Sequence, residues 1–304
     1  MINFFGTEIS FMQILTGVLY LVFAPVIGCL IAGIDRKITA RMQGRFGPPI
    51  LQPYYDMRKL FAKEAITVRG SQELFVVCCL IFMIITGLFF FAGGNLLMVI
   101  FTLTMASVFL IVAGFSSNSP FSQIGAEREL LLMMTYEPMV LLMAVGLYLV
   151  NGSFDVSEIV MSDPISIIYL AGMFIGYMYV LTMKFRKSPF DLSMSHHAHQ
   201  ELVKGLTTEF SGGTMAVLEI VHWYENVLLL GFVFLFFSNG TVLMVAIGVV
   251  ACLAMYFLEI IIDNGYARMK WQFAFKSGWI MTIIFGGVNL IVLYYLKLFG
   301  LIGA

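Results

Sequence analysis

The sequence is poor in charge. Only 12 % of its 304 residues are charged, whereas 60 % are apolar, and the mean hydropathy is +0.95. A soluble globular protein carries about 25 % charged residues, so this chain lacks the charge to cover a soluble domain of its size. Composition therefore excludes a soluble globular domain and predicts an all-α integral membrane protein.

Cysteine is also scarce. The chain has four, at positions 29, 78, 79 and 252, and all of them lie in apolar runs. None has the spacing of a zinc or iron–sulfur site, and the adjacent Cys78 and Cys79 make a poor ligand pair. We therefore expect this chain to bind no metal and no cofactor. The first ten residues contain no basic residue, which does not fit a secretory signal and predicts a retained first span.

Eight apolar runs are long enough to cross a bilayer as helices. They lie at residues 11–34, 74–92, 96–115, 130–150, 165–183, 214–237, 241–261 and 278–299. Eight spans of ~20 residues use about 160 residues, so residues 1–304 are expected to form a single membrane domain. The first connection should also contain an amphipathic helix.

The basic residues fall almost entirely on one side of these spans. Of the 17 Lys and Arg residues, all but Lys297 lie in the connections at roughly 35–71, 116–129, 184–213 and 262–277. Under the positive-inside rule these connections are cytoplasmic. The chain is therefore predicted to cross the cell membrane several times, with both termini outside.

Some ionisable residues lie where an apolar span is expected. They fall in or just after spans four, six and seven: Glu137, Glu219, His222, Glu225, Glu259 and Asp263. The three in span six are spaced by three residues and share one helix face. A charged residue at a helix centre costs ~2.5–3.5 kcal/mol, which favours a proton path along these groups. The other interpretation is that they hydrogen-bond helices together or lie near the interface.

Pro138 directly follows Glu137 and removes one helical N–H. We expect the helix to be locally open there, so that a backbone carbonyl or a water molecule is available to interact with the carboxyl group.

The first connection resembles a known loop. Its motif residues are Arg41-Met-Gln, Arg45, Gly47-Pro48, Leu51-Gln-Pro53, Asp56, Lys59-Leu60 and Lys63-Glu64. This run is similar to the loop after the first helix of the H subunit of respiratory complex I. The stretch between Gly47-Pro48 and Leu51-Gln-Pro53 is shorter here.

Two further motifs agree with this family and follow in the same order. Gly125-Ala-Glu-Arg-Glu129, followed by Tyr136-Glu137-Pro138, resembles the entry into one of its helices. A second group resembles the acidic loop that lines the quinone cavity: Ser188-Pro-Phe-Asp191-Leu, Glu201-Leu-Val and Thr208-Glu209-Phe-Ser-Gly212. The resemblance covers nearly the whole chain. It implies that Glu129 belongs with the coupling carboxylates and that Asp191, Glu201 and Glu209 line a cytoplasmic cavity.

The chain departs from complex I in two places. Ser193-Met-Ser-His-His-Ala-His-Gln200 replaces the glutamates that follow Pro-Phe-Asp-Leu in complex I, and Asp263-Asn-Gly-Tyr-Ala-Arg268 looks like the membrane-bound [NiFe] hydrogenases. The histidine run is most similar to Ech-type energy-converting hydrogenases. This resemblance implies ferredoxin as the electron donor and protons as the acceptor.

The histidine run allows more than one role. His196, His197 and His199 have neither a cysteine nor an i, i+4 histidine partner that would support a metal site. They are interpreted as part of a polar loop packed on a soluble partner, or as proton-buffering groups beside Glu201 and Glu209.

The resemblance implies a non-catalytic subunit that anchors an oxidoreductase complex and couples it to ion movement. The [NiFe] centre and iron–sulfur clusters would lie in partners, namely the hydrogenase large and small subunits and an iron–sulfur subunit, beside an antiporter-like membrane subunit. No nucleic-acid partner is expected. The residues expected to contact soluble subunits are Arg36, Arg41, Arg45, Gly47, Pro48 and Asp56.

Two alternatives remain open at this point. One is a quinone-site subunit of a complex I-type NADH or ferredoxin:quinone oxidoreductase. The other is a stand-alone ion transporter that uses the same carboxylates.

Overall fold

The computed structural model of the chain describes residues 2–4, 7–9, 11–64, 70–163, 165–194 and 202–300, with the backbone alone up to residue 11. Two short antiparallel strands, β1 (Ile2–Phe4) and β2 (Thr7–Ile9), precede the first helix.

Eight helices in the described part of the chain are long and apolar enough to cross a membrane. This confirms the predicted all-α membrane fold and the number of spans. They are α1 (Phe11–Met42), α3 (Gly70–Phe91), α4 (Leu96–Phe115), α5 (Pro120–Asn151), α7 (Ile167–Lys184), α8 (Gly212–Phe237), α9 (Val242–Gly265) and a last span made of α10 (Trp271–Met281), a π-helical segment (Thr282–Gly287) and α11 (Val288–Leu298). Two shorter helices are α2 (Gln52–Phe61), in the first connection, and α6 (Val156–Met161).

Helix α8 lies at the centre of the bundle. It packs against α1, α3, α7 and α9, while α3, α4 and α5 follow one another as neighbours. Tyr177 of α7 is fully buried against Phe232 and Phe236, and its hydroxyl donates to the Leu229 carbonyl at 3.0 Å. Because lipid is as apolar as the helices, close packing and such internal hydrogen bonds hold membrane helices together. Helices α1 and α9 and the last span expose large apolar side chains, as expected for the lipid-facing rim.

Three spans extend furthest beyond their predicted bounds. Helix α1 runs to Met42, α5 begins at Pro120, and the last span begins at Trp271. Polar residues at these ends lower the hydropathy without ending the helix. At 1.5 Å per residue a 32-residue helix such as α5 is roughly 48 Å long, more than the ~30 Å hydrocarbon core. The predicted connections at 116–129 and 262–277 are therefore shorter than expected, and α5 also continues without a break through Pro138.

The connection between α7 and α8 folds against the first turns of α5. The backbone N–H of Leu206 donates to the Ser193 carbonyl at 3.0 Å, and the Ser122 hydroxyl of α5 donates to the Leu206 carbonyl at 2.8 Å. Gly125 allows this approach, since a Cβ there would lie 2.3 Å from the Leu206 nitrogen. This packing brings the connection beside the charged residues at the ends of α5 and α7.

Candidate functional site

A buried arginine joins two helices at one end of the bundle. Arg186, just after α7, is 6 % exposed. Its Nε and Nη2 donate to Oε1 of Glu129 on α5 at 3.1 and 2.9 Å, and its Nη1 donates to Oε2 of Glu225 on α8 at 3.1 Å. Burial alone would lower the pKa of Arg186, but the two adjacent carboxylates raise it above its ordinary value. The guanidinium therefore stays charged between Glu129 and Glu225.

A second buried cation completes this group. Lys184, the last residue of α7, places its Nζ 3.7 Å from Oε1 of Glu225 and donates to the Ser107 hydroxyl at 3.1 Å. The same Nζ lies 4.3 Å from the centre of the Tyr136 ring, within the range of a cation–π contact. Glu129, Lys184, Arg186 and Glu225, here called the ion-pair cluster, carry two positive and two negative charges, all buried.

The local backbone explains how Arg186 enters the interior. Arg186 has φ +52°, in the left-handed region that a non-glycine residue rarely adopts. Its N–H donates to the Met183 carbonyl at 3.1 Å, which closes a turn directly after α7. This turn directs Arg186 toward α5 and α8. The Ser193 hydroxyl also donates a hydrogen bond to Oε2 of Glu129, so the α7–α8 connection contacts the ion-pair cluster directly.

A second group of charges lies between α1, α9 and the end of α7. Lys187 Nζ is 2.7 Å from Oδ2 of Asp35 on α1 and 4.7 Å from the centre of the Tyr256 ring on α9. The Tyr256 hydroxyl donates to the same Asp35 oxygen at 3.2 Å. Asp35 thus accepts from one side chain on α9 and pairs with a cation of the α7–α8 connection.

Two further carboxylates of α9 belong to this second group. Glu259 is fully buried, and its Oε1 accepts from the Thr182 hydroxyl at 3.4 Å. Its Oε2 has no hydrogen-bond partner among the described residues. Oδ1 of Asp263 accepts from the Ser188 N–H at 2.9 Å. The second group is called the lateral cluster and comprises Asp35, Lys187, Tyr256, Glu259 and Asp263.

The remaining predicted coupling residues lie at varying depth. Glu137 is partly buried on α5, eight residues or about 12 Å beyond Glu129. Its Oε1 is shielded from solvent and receives no hydrogen bond from the described part of the chain. Glu219 and His222 are partly buried on α8, about two turns and about one turn, respectively, before the buried Glu225. Of the three residues predicted to share a face of that helix, Glu225 enters the ion-pair cluster.

The predicted cavity residues are only partly within the described chain. Asp191 is buried, and its Oδ2 lies 3.0 Å from Nη2 of Arg268. Glu209 is partly buried. The other members, His196, His197, His199 and Glu201, lie outside the described residues. Across the described part of the chain, no group of three His, Cys, Asp or Glu side chains is arranged to hold a metal ion.

The predicted docking residues divide into two kinds. Arg36 Nη1 lies 2.7 Å from Oδ2 of Asp56, whose Oδ1 accepts from Gln52 at 2.8 Å, so this pair joins α2 to the end of α1. Burial would raise the pKa of Asp56, but the hydrogen bonds from Arg36 and Gln52 lower it below its ordinary value. Arg36 is thus paired within the chain, and its contact with a soluble partner stays a prediction.

The other docking residues lie at the surface of the first connection. Arg41 and Arg45 are exposed, with Arg41 5.0 Å from the Phe46 ring centre. Gly47 and Pro48 are partly buried in the turn that follows α1.

Sequence reasoning missed the cations of both clusters. The charge pattern places Lys184, Arg186 and Lys187 among the connection residues that set the orientation, whereas the structure buries Lys184 and Arg186. One signal could have found them: buried carboxylates need partners, and these are the basic residues at the end of an 18-residue span.

Comparisons with known proteins agree with this fold. Residues 15–294 match the NADH dehydrogenase family. The chain is 31 % identical to hydrogenase-4 component C of Escherichia coli K12 over 206 residues, or 62 % of this chain and 64 % of that protein. It is 27 % identical to formate hydrogenlyase subunit 4 of the same organism over 284 residues, covering 82 % and 89 %. NADH-ubiquinone oxidoreductase chain 1 of Oryctolagus cuniculus is 30 % identical over 216 residues, covering 65 % and 67 %.

A solved structure is also similar. A chain of the membrane-bound sulfane sulfur reductase (MBS), an archaeal respiratory membrane complex, superposes with a TM-score of 0.83 at 27 % identity. The match covers 92 % of this chain and 99 % of that one. This chain therefore belongs to the NADH dehydrogenase family and is a membrane subunit of a complex I-like or membrane-bound hydrogenase-type complex.

Proposed function

We propose that this chain is the membrane-anchor and ion-coupling subunit of a ferredoxin-dependent energy-converting [NiFe] hydrogenase. It would link redox events in docked soluble subunits to the translocation of protons or sodium ions. The observation that carries the proposal is the buried ion-pair cluster. The α7–α8 connection contacts this cluster through the hydrogen bond from Ser193 to Glu129.

The physical argument concerns charge in a poorly screened place. Ion pairs at a solvent-exposed surface are weakened by water and salt, whereas buried pairs are screened much less. An electron added to a soluble module near the α7–α8 connection would therefore change the electrostatic interaction between Arg186 and its two carboxylates. Of the other predicted coupling residues, His222 is nearest to Glu225 along α8, and Glu137 shares α5 with Glu129.

The relatives support the hydrogenase assignment by name. One is a hydrogenase-4 component and another is a formate hydrogenlyase subunit. By this analogy the chain would assemble with hydrogenase large and small subunits, an iron–sulfur subunit and an antiporter-like membrane subunit. The basic connections would face the cytoplasm, with both termini outside.

A second candidate follows from the NADH-ubiquinone oxidoreductase relative. In that case the α7–α8 connection, with the buried Asp191, would line a quinone cavity. Ferredoxin-dependent quinone reduction by the purified complex, without hydrogen evolution, would favour this reading over the hydrogenase.

The coupling role is tested in the purified native complex reconstituted into vesicles. Glu225→Gln and Glu137→Gln keep the side-chain shape and remove titration. Hydrogen evolution driven by an artificial soluble donor should persist, because electrons do not cross this chain, while ion pumping should fall sharply. Glu127→Gln, at an exposed position of α5, is the matched control. Normal pumping by both test variants would mean that these carboxylates take no part in coupling and that the chain acts only as an anchor.

The electron donor and acceptor need a separate assay. The native complex should contain nickel and evolve hydrogen from reduced ferredoxin. A complex without nickel would contradict the hydrogenase assignment and leave the coupling role to be judged from the vesicle assay.

A further inference from the structure

One short segment contributes side chains or contacts to both charged clusters. Residues 182–188, here called the connector, include the last turn of α7 and the turn that follows it. Lys184 and Arg186 enter the ion-pair cluster. Thr182, Lys187 and Ser188 contact the lateral cluster through Glu259, Asp35 and Asp263, respectively.

The backbone ties these contacts together. Arg186 and Lys187 are neighbours in sequence, with Cα atoms ~3.8 Å apart, so one cannot move far without the other. Arg186 also holds the left-handed conformation at φ +52°. Such a conformation costs free energy and persists where surrounding contacts impose it. Here those contacts lie on both sides of the connector.

The lateral cluster reaches in turn to the first connection. Asp35 pairs with Lys187, and the next residue, Arg36, pairs with Asp56 on α2. A continuous series of contacts therefore runs from α2, through the end of α1 and the connector, to Glu225. Each step is an ion pair or a single peptide unit.

We propose that the connector couples the charge state of the two clusters, and that Lys187, held by Asp35, is a positioning residue for Arg186. When Glu225 becomes neutral by binding a proton, Arg186 and Lys184 lose one partner, and the connector relaxes toward Glu129. Lys187 and Ser188 then shift against Asp35 and Asp263. In the opposite direction, a partner pressing on α2 would act on Arg186 through Asp35 and Lys187.

The effect on ion pumping rests on the proposed function, whereas the coupling between the clusters does not. Two readouts keep them apart. The first is the infrared difference signal of the Glu225 carboxyl group on reduction of the native complex, identified by its loss in Glu225→Gln. The second is ions pumped per hydrogen evolved in vesicles.

The test variants are Lys187→Met and Asp35→Asn, with Lys204→Met as the matched control. Lys204 is an exposed lysine of the same α7–α8 connection. We expect both test variants to shift or abolish the Glu225 signal and to lower the pumping ratio by about three- to thirty-fold, the range in which residues along a coupling path act. The double variant should be no worse than the more affected single variant. Exchanging the two charges, as Asp35→Lys with Lys187→Asp, should restore part of the signal.

Each outcome decides one claim. An unchanged Glu225 signal in Lys187→Met overturns the coupling of the clusters, whatever happens to pumping. A shifted signal together with normal pumping in Glu225→Gln keeps the coupling and refutes the proposed function. If Lys187→Met does not assemble, Tyr256→Phe replaces it, because it removes only the hydroxyl that donates to Asp35. An unchanged Glu225 signal in that variant refutes the proposal equally.

Discussion

Replacing Arg186 by Met should destabilise the protein more than removing any single basic side chain that lies outside the two clusters. Met keeps much of the length and removes the three hydrogen bonds to Glu129 and Glu225. A hydrogen bond to a charged group contributes ~1.5–3 kcal/mol, but part of that sum is recovered because Lys184 stays 3.7 Å from Glu225. We expect a loss of ~3–5 kcal/mol, as for breaking other buried ion pairs.

The buried thiols provide the assay. Cys29 and Cys79 are free and buried, so heating the purified protein with a thiol-reactive dye reports unfolding as they become accessible. Arg58→Met is the matched control, since Arg58 is exposed on α2, and its effect should stay within ~0.5 kcal/mol.

A second variant tests whether the charges act as a unit. Arg186→Met combined with Glu129→Gln leaves Lys184 and Glu225 as one balanced buried pair. We expect this double variant to be more stable than Arg186→Met alone, because contacting residues of a charge network are not additive. Equal stability of Arg186→Met and Arg58→Met, or simple additivity in the double variant, would refute the electrostatic account.

Three further predictions concern the first connection and the orientation. A methyl group on Gly33 would lie 1.8 Å from a carbonyl oxygen of the first connection, so Gly33→Ala should lower the yield of assembled complex, whereas Gly213→Ala, with open space around it, should not. The pKa of Asp56 is lowered from 3.8, so its pairing with Arg36 stabilises the fold above that pH, and this stabilisation is lost as the pH falls through the lowered pKa. Protease cleavage between α1 and α2 should therefore rise at acid pH in the native chain. The Asp56→Asn variant should lack that pH response. A reporter fused at the C-terminus should be exported and one inserted between α4 and α5 should be cytoplasmic; finding both on one side would contradict the orientation.

The spans could be predicted from sequence because a bilayer imposes a simple requirement on length and hydropathy. The amphipathic α2 was also predicted, from the pattern after the Gly47-Pro48-Pro49 turn. The ends of α1 and α5 were not, since a helix that leaves the bilayer can continue with polar residues. Hydropathy marks where lipid ends, and hydrogen bonding decides where a helix ends.

The ion-pair cluster shows a different limit. Spacing places Glu219, His222 and Glu225 on one face of a helix, but it does not say which helices are neighbours. Arg186 reaches Glu129 and Glu225 because a left-handed residue turns the chain inward after α7, and no local pattern predicts that turn. The charge bias places Lys184 and Arg186 in the connection after α7, but it does not indicate that their side chains are buried.

Burial decides which of the charged contacts can act as a switch. Two unit charges 4 Å apart interact by ~4 kcal/mol at an effective dielectric constant of 20. Neutralising Glu129 or Glu225 would therefore change the free energy that holds Arg186 in its observed position by a comparable amount. Moving a two-state equilibrium from 1:99 to 99:1 takes ~5.5 kcal/mol, and a single proton therefore supplies most of it. The Arg36–Asp56 pair has side chains 43 % and 38 % exposed, and surface pairs contribute only ~0–1 kcal/mol. In the proposed coupling, a partner on α2 would therefore bias the connector only weakly, and the larger change would arise at the ion-pair cluster.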